Sequence, residues 1–520
     1  MYAYSLYTPD IWGRFLKKHG ETKEQFLLKT YPQLDPFFDF FHRKDEVHDM
    51  VSDATLSKVA KHPFLPFVKI LTKTPRYKYD NEFDAHFLET KIRPISFASH
   101  FDTYLYGFYA FALTEMYQKY LLDNGFGGCV LAYRTDLGGK CNIQFTKEAF
   151  DAVREKIRSD GSCTAIALDI SGYFDNIDHF ILKDKWSKIL RLEELPNDQY
   201  KVFQSLTKYS YVNKDSILRH FDVNLKQHKG KWQTLLDLIP NDIGGKTFRD
   251  KLSLLRKRKL IVRNLPKKEE DGTLSQKGIP QGSAMSAILS NIYLIDFDKL
   301  LFDLSVEKRF TYRRYCDDIL IVCCNHDVEY LSTMIMEEIK NYKLKIQSKK
   351  TEIIEFSQNS KGIIRGFDKK KIQNEKISIT ADNEQKYYKN LQYLGFEFNG
   401  QNVYIRPGSL SRYFRKMKGR IVKTIMMAYS DKSKHNKIFR KQLYERYSHL
   451  GKRNFLTYAR NASKTEYINS KREVKEGMNS LSIKRQIASH FAILEKEVFK
   501  TSEQRAAQKK RAGKLKLVKH

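Results

Sequence analysis

The chain is sparing with cysteine, proline and tryptophan: its 520 residues include 6 Cys, 12 Pro and 3 Trp. The cysteines, at positions 129, 141, 163, 316, 323 and 324, form no C-x-x-C pair and show no His at metal spacing, so a zinc ribbon or disulfide scaffold is excluded and reduced core thiols are expected. No segment reaches the roughly 18 apolar residues of a spanning helix. Met1-Tyr2-Ala3-Tyr4 has none of the basic charge that opens a signal peptide, so a cytoplasmic protein with no membrane partner is expected. Acidic residues are scarce where basic ones crowd: residues 401–520 hold 31 Lys+Arg against 8 Asp+Glu, a net +23 of the whole chain's +32. An excess of this size calls for a polyanion, most simply nucleic acid.

What is present centres on Arg314-Tyr315-Cys316-Asp317-Asp318-Ile319-Leu320-Ile321-Val322, where two adjacent carboxylates meet an uncharged apolar run. Aromatic residues before the pair and β-branched residues after it predict a hairpin with Asp317 and Asp318 at its tip. Neighbouring carboxylates raise each other's pKa, and a bound divalent cation would keep both ionised; an ordinary acidic turn is the alternative. A third carboxylate, Asp169, closes the apolar strand that starts near Thr164, and the helix after it carries Leu182, Trp186, Ile189 and Leu190 at helical spacing. Should the fold join these strands in one sheet, the three aspartates would suit a two-metal site for phosphoryl transfer, chemistry that needs no nucleophilic Ser or basic His.

Elsewhere the pattern predicts helices broken by prolines over residues 1–90, with Trp12, Phe15, Leu16, Phe26, Leu27 and Leu28 as core contacts. A basic strand at Lys91-Ile92-Arg93-Pro94-Ile95, a long apolar helix from about Asp102 to Leu122 and a strand at Cys129–Arg134 follow. Residues 195–276 read as a mixed insertion with a charged loop at 266–272. Lys277–Ser286 is a glycine-punctuated loop opening a small-residue helix, which suits either a ligand or tight helix packing. Further strands are expected at Tyr393–Phe398 and Val403–Ile405. Beyond Pro407 the pattern is helical, the first helix burying Tyr413, Met417, Ile421 and Ile425 while Arg412, Arg415, Lys416 and Arg420 face a phosphate groove. Residues 501–520 read as a flexible basic tail.

Asp169-Ile170-Ser171-Gly172-Tyr173-Phe174-Asp175, Gly278-Ile279-Pro280-Gln281-Gly282 and Tyr315-Cys316-Asp317-Asp318 resemble motifs A, B and C of reverse transcriptases, in order. Lys349-Lys350-Thr351 resembles motif D, and Leu394-Gly395-Phe396 the primer-grip motif E. The resemblance implies an α+β right-hand polymerase fold: a helical extension at 1–90, fingers and an antiparallel palm sheet at 91–406, an all-α basic thumb and RNA-binding region at 407–500, and the tail. It implies that Asp169, Asp317 and Asp318, with the Ile170 carbonyl, hold two Mg²⁺ ions, Mn²⁺ being an alternative. Phe174 would be the steric gate against ribonucleotides, Gln281 and Gly282 would line the nucleotide pocket, and Arg134 would meet the incoming dNTP. Lys350 would protonate departing pyrophosphate, and Cys316 would face the primer end.

A narrower resemblance, on Leu131–Arg134, Lys208–Val212 and Gly451–Tyr458, is to bacterial defence-associated reverse transcriptases of the abortive-infection and unknown-group type. It implies antiphage defence, a structured non-coding RNA as template partner, a DNA product and a homo-oligomer. The 520 residues show no C-terminal maturase or endonuclease zinc-finger pattern, and neither a complete mobile-intron enzyme nor an RNase H domain is expected. Two other readings remain at the level of sequence: template-independent or protein-primed synthesis by the same site, and a non-catalytic RNA-binding scaffold or toxin.

Overall fold

The structure, a computed structural model, describes all residues except 1–4, 20–32, 81–84, 225–233, 270–271, 431–436 and 518–520. Phe26, Leu27 and Leu28, and the Glu270-Asp271 part of the charged loop, lie outside the described residues. In chain order the elements that matter for the site are α1 (Pro9–His19), α2 (Phe40–Val51), β1 (Phe67–Asp80), β2 (Ala85–Phe97), α3 (His100–Asp123), α4 (Asn142–Asp160), β3 (Cys163–Asp169) and α5 (His179–Leu190). Next come β4 (Ser210–Asn213), β5 (Ile261–Arg263), α6 (Ala284–Tyr293), α7 (Ile295–Glu307), β6 (Thr311–Tyr315), β7 (Asp318–Cys323) and α8 (Val328–Asn341). The chain continues with β8 (Glu352–Gln358), β9 (Ile364–Asp368), the short strands β10 (Leu391–Tyr393), β11 (Phe396–Phe398) and β12 (Val403–Ile405), and then α9 (Pro407–Ala428), α10 (Phe455–Ser463), α11 (Leu481–Ala488) and α12 (His490–Leu517).

The centre is a five-stranded antiparallel sheet in the order β9-β8-β3-β7-β6. Its period-two alternation divides the side chains between two cores. Ile166, Leu168, Ile319 and Ile321 join the larger core with α3, α5 and α6, while Ala165, Leu320, Val322 and Phe356 join a second core with α4, the β10–β12 sheet and α10. Covered on both faces, β7 can be apolar at every position, which accounts for the uncharged run after Asp318. Helix α3 has apolar and aromatic residues around most of its circumference and sits largely inside the larger core until its exposed last turn; Ser99 Oγ caps it, accepting from the Asp102 amide at 3.1 Å. The buried face expected on α5 is observed, as is that of Tyr413, Met417, Ile421 and Ile425 on α9.

Four local readings change. Phe67–Asp80 and Ala85–Phe97 form a long antiparallel ribbon, β1 against β2: the strand expected at Lys91–Ile95 is part of it, but the ribbon's residues before 91 are strand and not proline-broken helices. Pro75 and Pro94 are tolerated because β1 pairs with a further strand only at Phe67–Lys69, leaving the edge beside Pro75 open, and because β2 is an edge strand. Cys129–Arg134 makes one parallel bridge, Val130 to Arg314, and then turns through Tyr133 at φ 60°, so it is not a strand. A small hairpin, Glu466–Ile468 with Val474–Glu476, interrupts the C-terminal helices. Residues expected to be a flexible tail instead prolong α12 to Leu517.

Candidate active site

Register decides the site. In the β3–β7 ladder Asp169 pairs with Asp318, so the last residue of one strand stands opposite the first of the other. The Ile170 amide donates to the Asp317 carbonyl at 3.0 Å, and the Gln347 amide to the Asp169 carbonyl at 2.8 Å, joining the three carboxylate-bearing positions and the segment before Lys350 through backbone bonds. Cys316 makes the turn possible with φ 59°, a left-handed conformation.

Arg314 holds this turn from below. Its side chain is fully buried, forms a two-pronged ion pair with the equally buried Asp298, and donates from Nη1 to the Cys316 carbonyl at 3.0 Å. The Tyr312 hydroxyl donates to the same Asp298 carboxylate at 2.7 Å. Asp298 in turn holds the Arg314 guanidinium's pKa well above its ordinary value, although burial works against the charge. Sequence reading saw Arg314 only as part of the motif; its partner Asp298 lies on α7 and has no signature of its own.

The carboxylates crowd each other. Burial first, then repulsion from Asp317 and Asp169, pushes Asp318 up to about 7, and burial likewise raises Asp317, with Asp169 adding to it. One cation already answers part of this charge: Lys350 Nζ donates to Asp169 Oδ1 at 2.6 Å. All-oxygen donors from three aspartates, with the ionised forms of Asp317 and Asp318 disfavoured by burial and mutual repulsion, fit a hard divalent cation. Ile170, buried next to Asp169, extends the same backbone.

Other expected residues surround this point. Phe174 is half-buried in the short helix Tyr173–Asn176, and its carbonyl accepts from the Ile279 amide at 2.9 Å, tying motif A to the 278–282 loop. The Gln281 carbonyl accepts from the Ser96 amide at 2.7 Å at the end of β2. Gly282, at φ 115°, lies so close that a Cβ would fall 2.8 Å from the Ser96 carbonyl oxygen, so its glycine identity is explained by this approach of strand and loop. The Arg134 side chain is only 5% exposed, with its guanidinium bound to Asp136 and to the Gly127 and Val130 carbonyls. Cys316, expected toward the primer, is instead 4% exposed and faces Ser290, its thiol 3.9 Å from that hydroxyl, because the left-handed turn aims its side chain into the core. Burial pushes that thiol up to about 11.

Three residues were missed: Arg76, Lys91 and Arg93, which share one face of the β1–β2 ribbon. Lys91 interacts electrostatically with Asp169 and Lys350, while Arg76 is lowered by burial and then by Arg93, Arg412 and Arg406. The alternation in Lys91-Ile92-Arg93 was the available signal. Arg412, Lys416 and Arg420 line a cavity of about 1000 Å³ beside α9, and Arg415 Nη2 reaches the Pro75 carbonyl at 3.2 Å, joining ribbon to helix. Away from the site, Cys324, His326 and Asp327 place ligand atoms within 4.8 Å of one another, which corrects the expectation of no His at metal spacing. The short helical turn at Asn325–Asp327 creates that proximity.

Residues 181–398 match the family model described as Reverse transcriptase (RNA-dependent DNA polymerase), a span that includes Asp317, Asp318 and Lys350 and begins after Asp169. The chain therefore carries a reverse transcriptase domain, and proteins with this domain are RNA-directed DNA polymerases, a class of nucleotidyltransferase that uses divalent metal ions. No curated protein matches the sequence. Among solved structures the chain is similar to apo telomerase from Candida tropicalis, at 11% identity and TM-score 0.36, covering 89% of this chain and 68% of that one. A form of the same apo enzyme truncated from its C-terminal domain gives 10% identity and TM-score 0.34, with 69% of this chain and 60% of that one covered. Telomerase from Candida albicans with a TWJ fragment of telomeric RNA gives 12% and 0.33, covering 75% and 56%. The chain thus spans about 60% of the length of the truncated relative. Among the described residues no helix is long and apolar enough to cross a membrane.

Proposed function

We propose that this protein is an RNA-directed DNA polymerase that extends a primer with dNTPs by two-metal phosphoryl transfer. The observation that carries the reading is the β3–β7 register, which sets Asp169 against Asp318 beside Asp317 at the rim of one rigid sheet. Two Mg²⁺ ions, held by Asp169, Asp317 and Asp318 with the Ile170 carbonyl, would supply activation of the primer hydroxyl and neutralisation of the phosphates. The chain's own residues do the rest. The primer 3′ oxygen, its hydroxyl proton passing to solvent, forms its bond to the α-phosphorus as the bond from that phosphorus to the α–β bridging oxygen breaks, and pyrophosphate leaves. Lys350, whose Nζ lies 2.6 Å from Asp169 Oδ1, would give that leaving group its proton. Lys91, Arg93 and Arg76 present positive charge to the triphosphate from the ribbon, and Phe174 crowds the position a ribose 2′ hydroxyl would need. Gln281 and Gly282 support the pocket from the loop on Ser96, and Arg134 stiffens its neighbouring turn. Arg412, Arg415, Lys416 and Arg420 receive the template and product backbone.

The resemblance to defence-associated enzymes supports antiphage defence with a structured non-coding RNA as template. The test is dNTP incorporation on an RNA template with Asp317→Asn and Asp318→Asn variants. Loss of incorporation with nucleic-acid binding retained supports the reading, and full incorporation by the double variant refutes it. If phage protection persisted without incorporation, the defence role would not depend on synthesis.

A further inference from the structure

Beyond the groove beside α9, the basic surface does not end. It turns around the loop at 451–454 and continues over α10 as two further cavities. The first, about 720 Å³, shares Lys452, Arg453 and Asn454 with the α9 groove and adds Arg460, Lys464 and Tyr458. The second, about 460 Å³, shares Arg460 and Lys464 with the first and adds Lys484 and His490. The shared residues make the three hollows one path.

Charge distinguishes this path from an ordinary solvated surface. Among the described residues no carboxylate lines either outer cavity. Among the described residues Lys452, Arg453, Arg460, Lys464 and Lys484 make no ion pair with an acidic side chain, although Glu466, Glu473 and Glu476 lie in the same part of the chain. Exposed lysines and arginines left uncompensated along a concave track raise the local concentration of a polyanion. The track also offers rings, Tyr458 and His449, on which bases can stack.

The bend selects the ligand. The 451–454 loop is a fixed saddle: a Cβ on Gly451 would fall 1.7 Å from the Glu445 carbonyl oxygen, and Asn454 Nδ2 donates to the Ser448 and Glu445 carbonyls at 2.8 and 3.0 Å. Asn454 also caps α10, with Oδ1 accepting from the Thr457 amide at 3.0 Å. Duplex DNA, with a persistence length of ~150 bp, does not fold around a four-residue turn and one helix, whereas a single strand does.

We propose that the outer path, from Lys452 and Arg453 across Arg460 and Lys464 to Lys484, holds single-stranded nucleic acid running beyond the α9 groove. This rests on the polymerase reading for its purpose, since the strand would be unpaired template or released product, but not for its test.

The experiment compares the full chain with Arg460→Gln/Lys464→Gln/Lys484→Gln. A charge-matched control, Lys61→Gln/Lys257→Gln/Lys340→Gln, carries its changes on exposed residues elsewhere. Binding of a 40-nucleotide oligo(U) RNA and of oligo(dT) DNA is measured across a salt series. The outer-path variant should lose at least tenfold in affinity, and its slope of log K against log salt should shrink by about 2, at ~0.7 per lost phosphate contact, while the control keeps both. A larger loss for RNA identifies the strand as template, and a larger loss for DNA as product. An unchanged slope overturns the proposal and leaves the surface to another polyanion such as an acidic protein. Equal losses in the control overturn it too, as a general charge effect. Melting temperature confirms folding. Failure of the polymerase reading would show separately, as absence of dNTP incorporation by the unaltered protein.

Discussion

Replacing Arg314 by Met tests whether the acidic turn is built on a buried charge. Arg314 and Asp298 are both fully buried, so the substitution strands the Asp298 carboxylate with the Tyr312 hydroxyl as its remaining donor and removes the donor to the Cys316 carbonyl. Breaking one side of a buried pair costs about 3–5 kcal/mol. With an unfolding entropy of about 2.1 cal/mol/K per residue, that loss lowers the melting temperature by about 3–5 °C if the whole chain melts together. Replacing both partners, Arg314→Met with Asp298→Leu, removes the stranded charge and should recover most of the stability, leaving about 1–3 kcal/mol for the unpaired carbonyl. Denaturant titration of the two single variants and the double variant gives the coupling between them. Incorporation should stay impaired in the double variant, because nothing then fixes the Cys316 carbonyl and the turn that presents Asp317. A single variant within about 1 kcal/mol of the parent, the usual error of such titrations, would refute the reasoning.

Gly282→Ala should weaken dNTP binding and cost about 1–3 kcal/mol, since its Cβ meets the Ser96 carbonyl oxygen at 2.8 Å and Ile95 Cγ2 at 2.9 Å with φ 115°; KM for dNTP and a melt measure the two effects. Phe174→Ala should admit ribonucleotides, read as NTP incorporation on the same template, and an unchanged dNTP preference would refute the gate. In chelated, metal-free protein the raised Asp318, at about 7 against an ordinary 3.8, binds its proton more tightly folded than unfolded. Its contribution to stability is present below about pH 4 and is lost as pH rises through about 7, so Asp318→Asn should flatten the decline between those values in pH-dependent melts.

From the sequence alone Asp169 was legible at a strand end and Asp317-Asp318 at a hairpin tip, as the β3–β7 and β6–β7 pairings have them, while Arg134 was given a strand it does not occupy. Adjacent carboxylates before an apolar run, an aspartate closing a strand, and the helical spacing on α5 and α9 are local patterns, and local patterns survive folding. It also located the basic excess beyond residue 400. Long-range pairing lay beyond it. The ribbon before residue 91 was hidden by Pro75, because whether a proline breaks a strand depends on which edge is open, and only neighbouring strands decide that. Asp298 under the acidic turn, Lys91 within electrostatic reach of Asp169, and Cys316 pointing inward each depend on elements far apart in sequence. Only the tertiary structure set Asp169 opposite Asp318, because a strand's register is fixed by the partner it meets and by the two cores its alternating faces must fill.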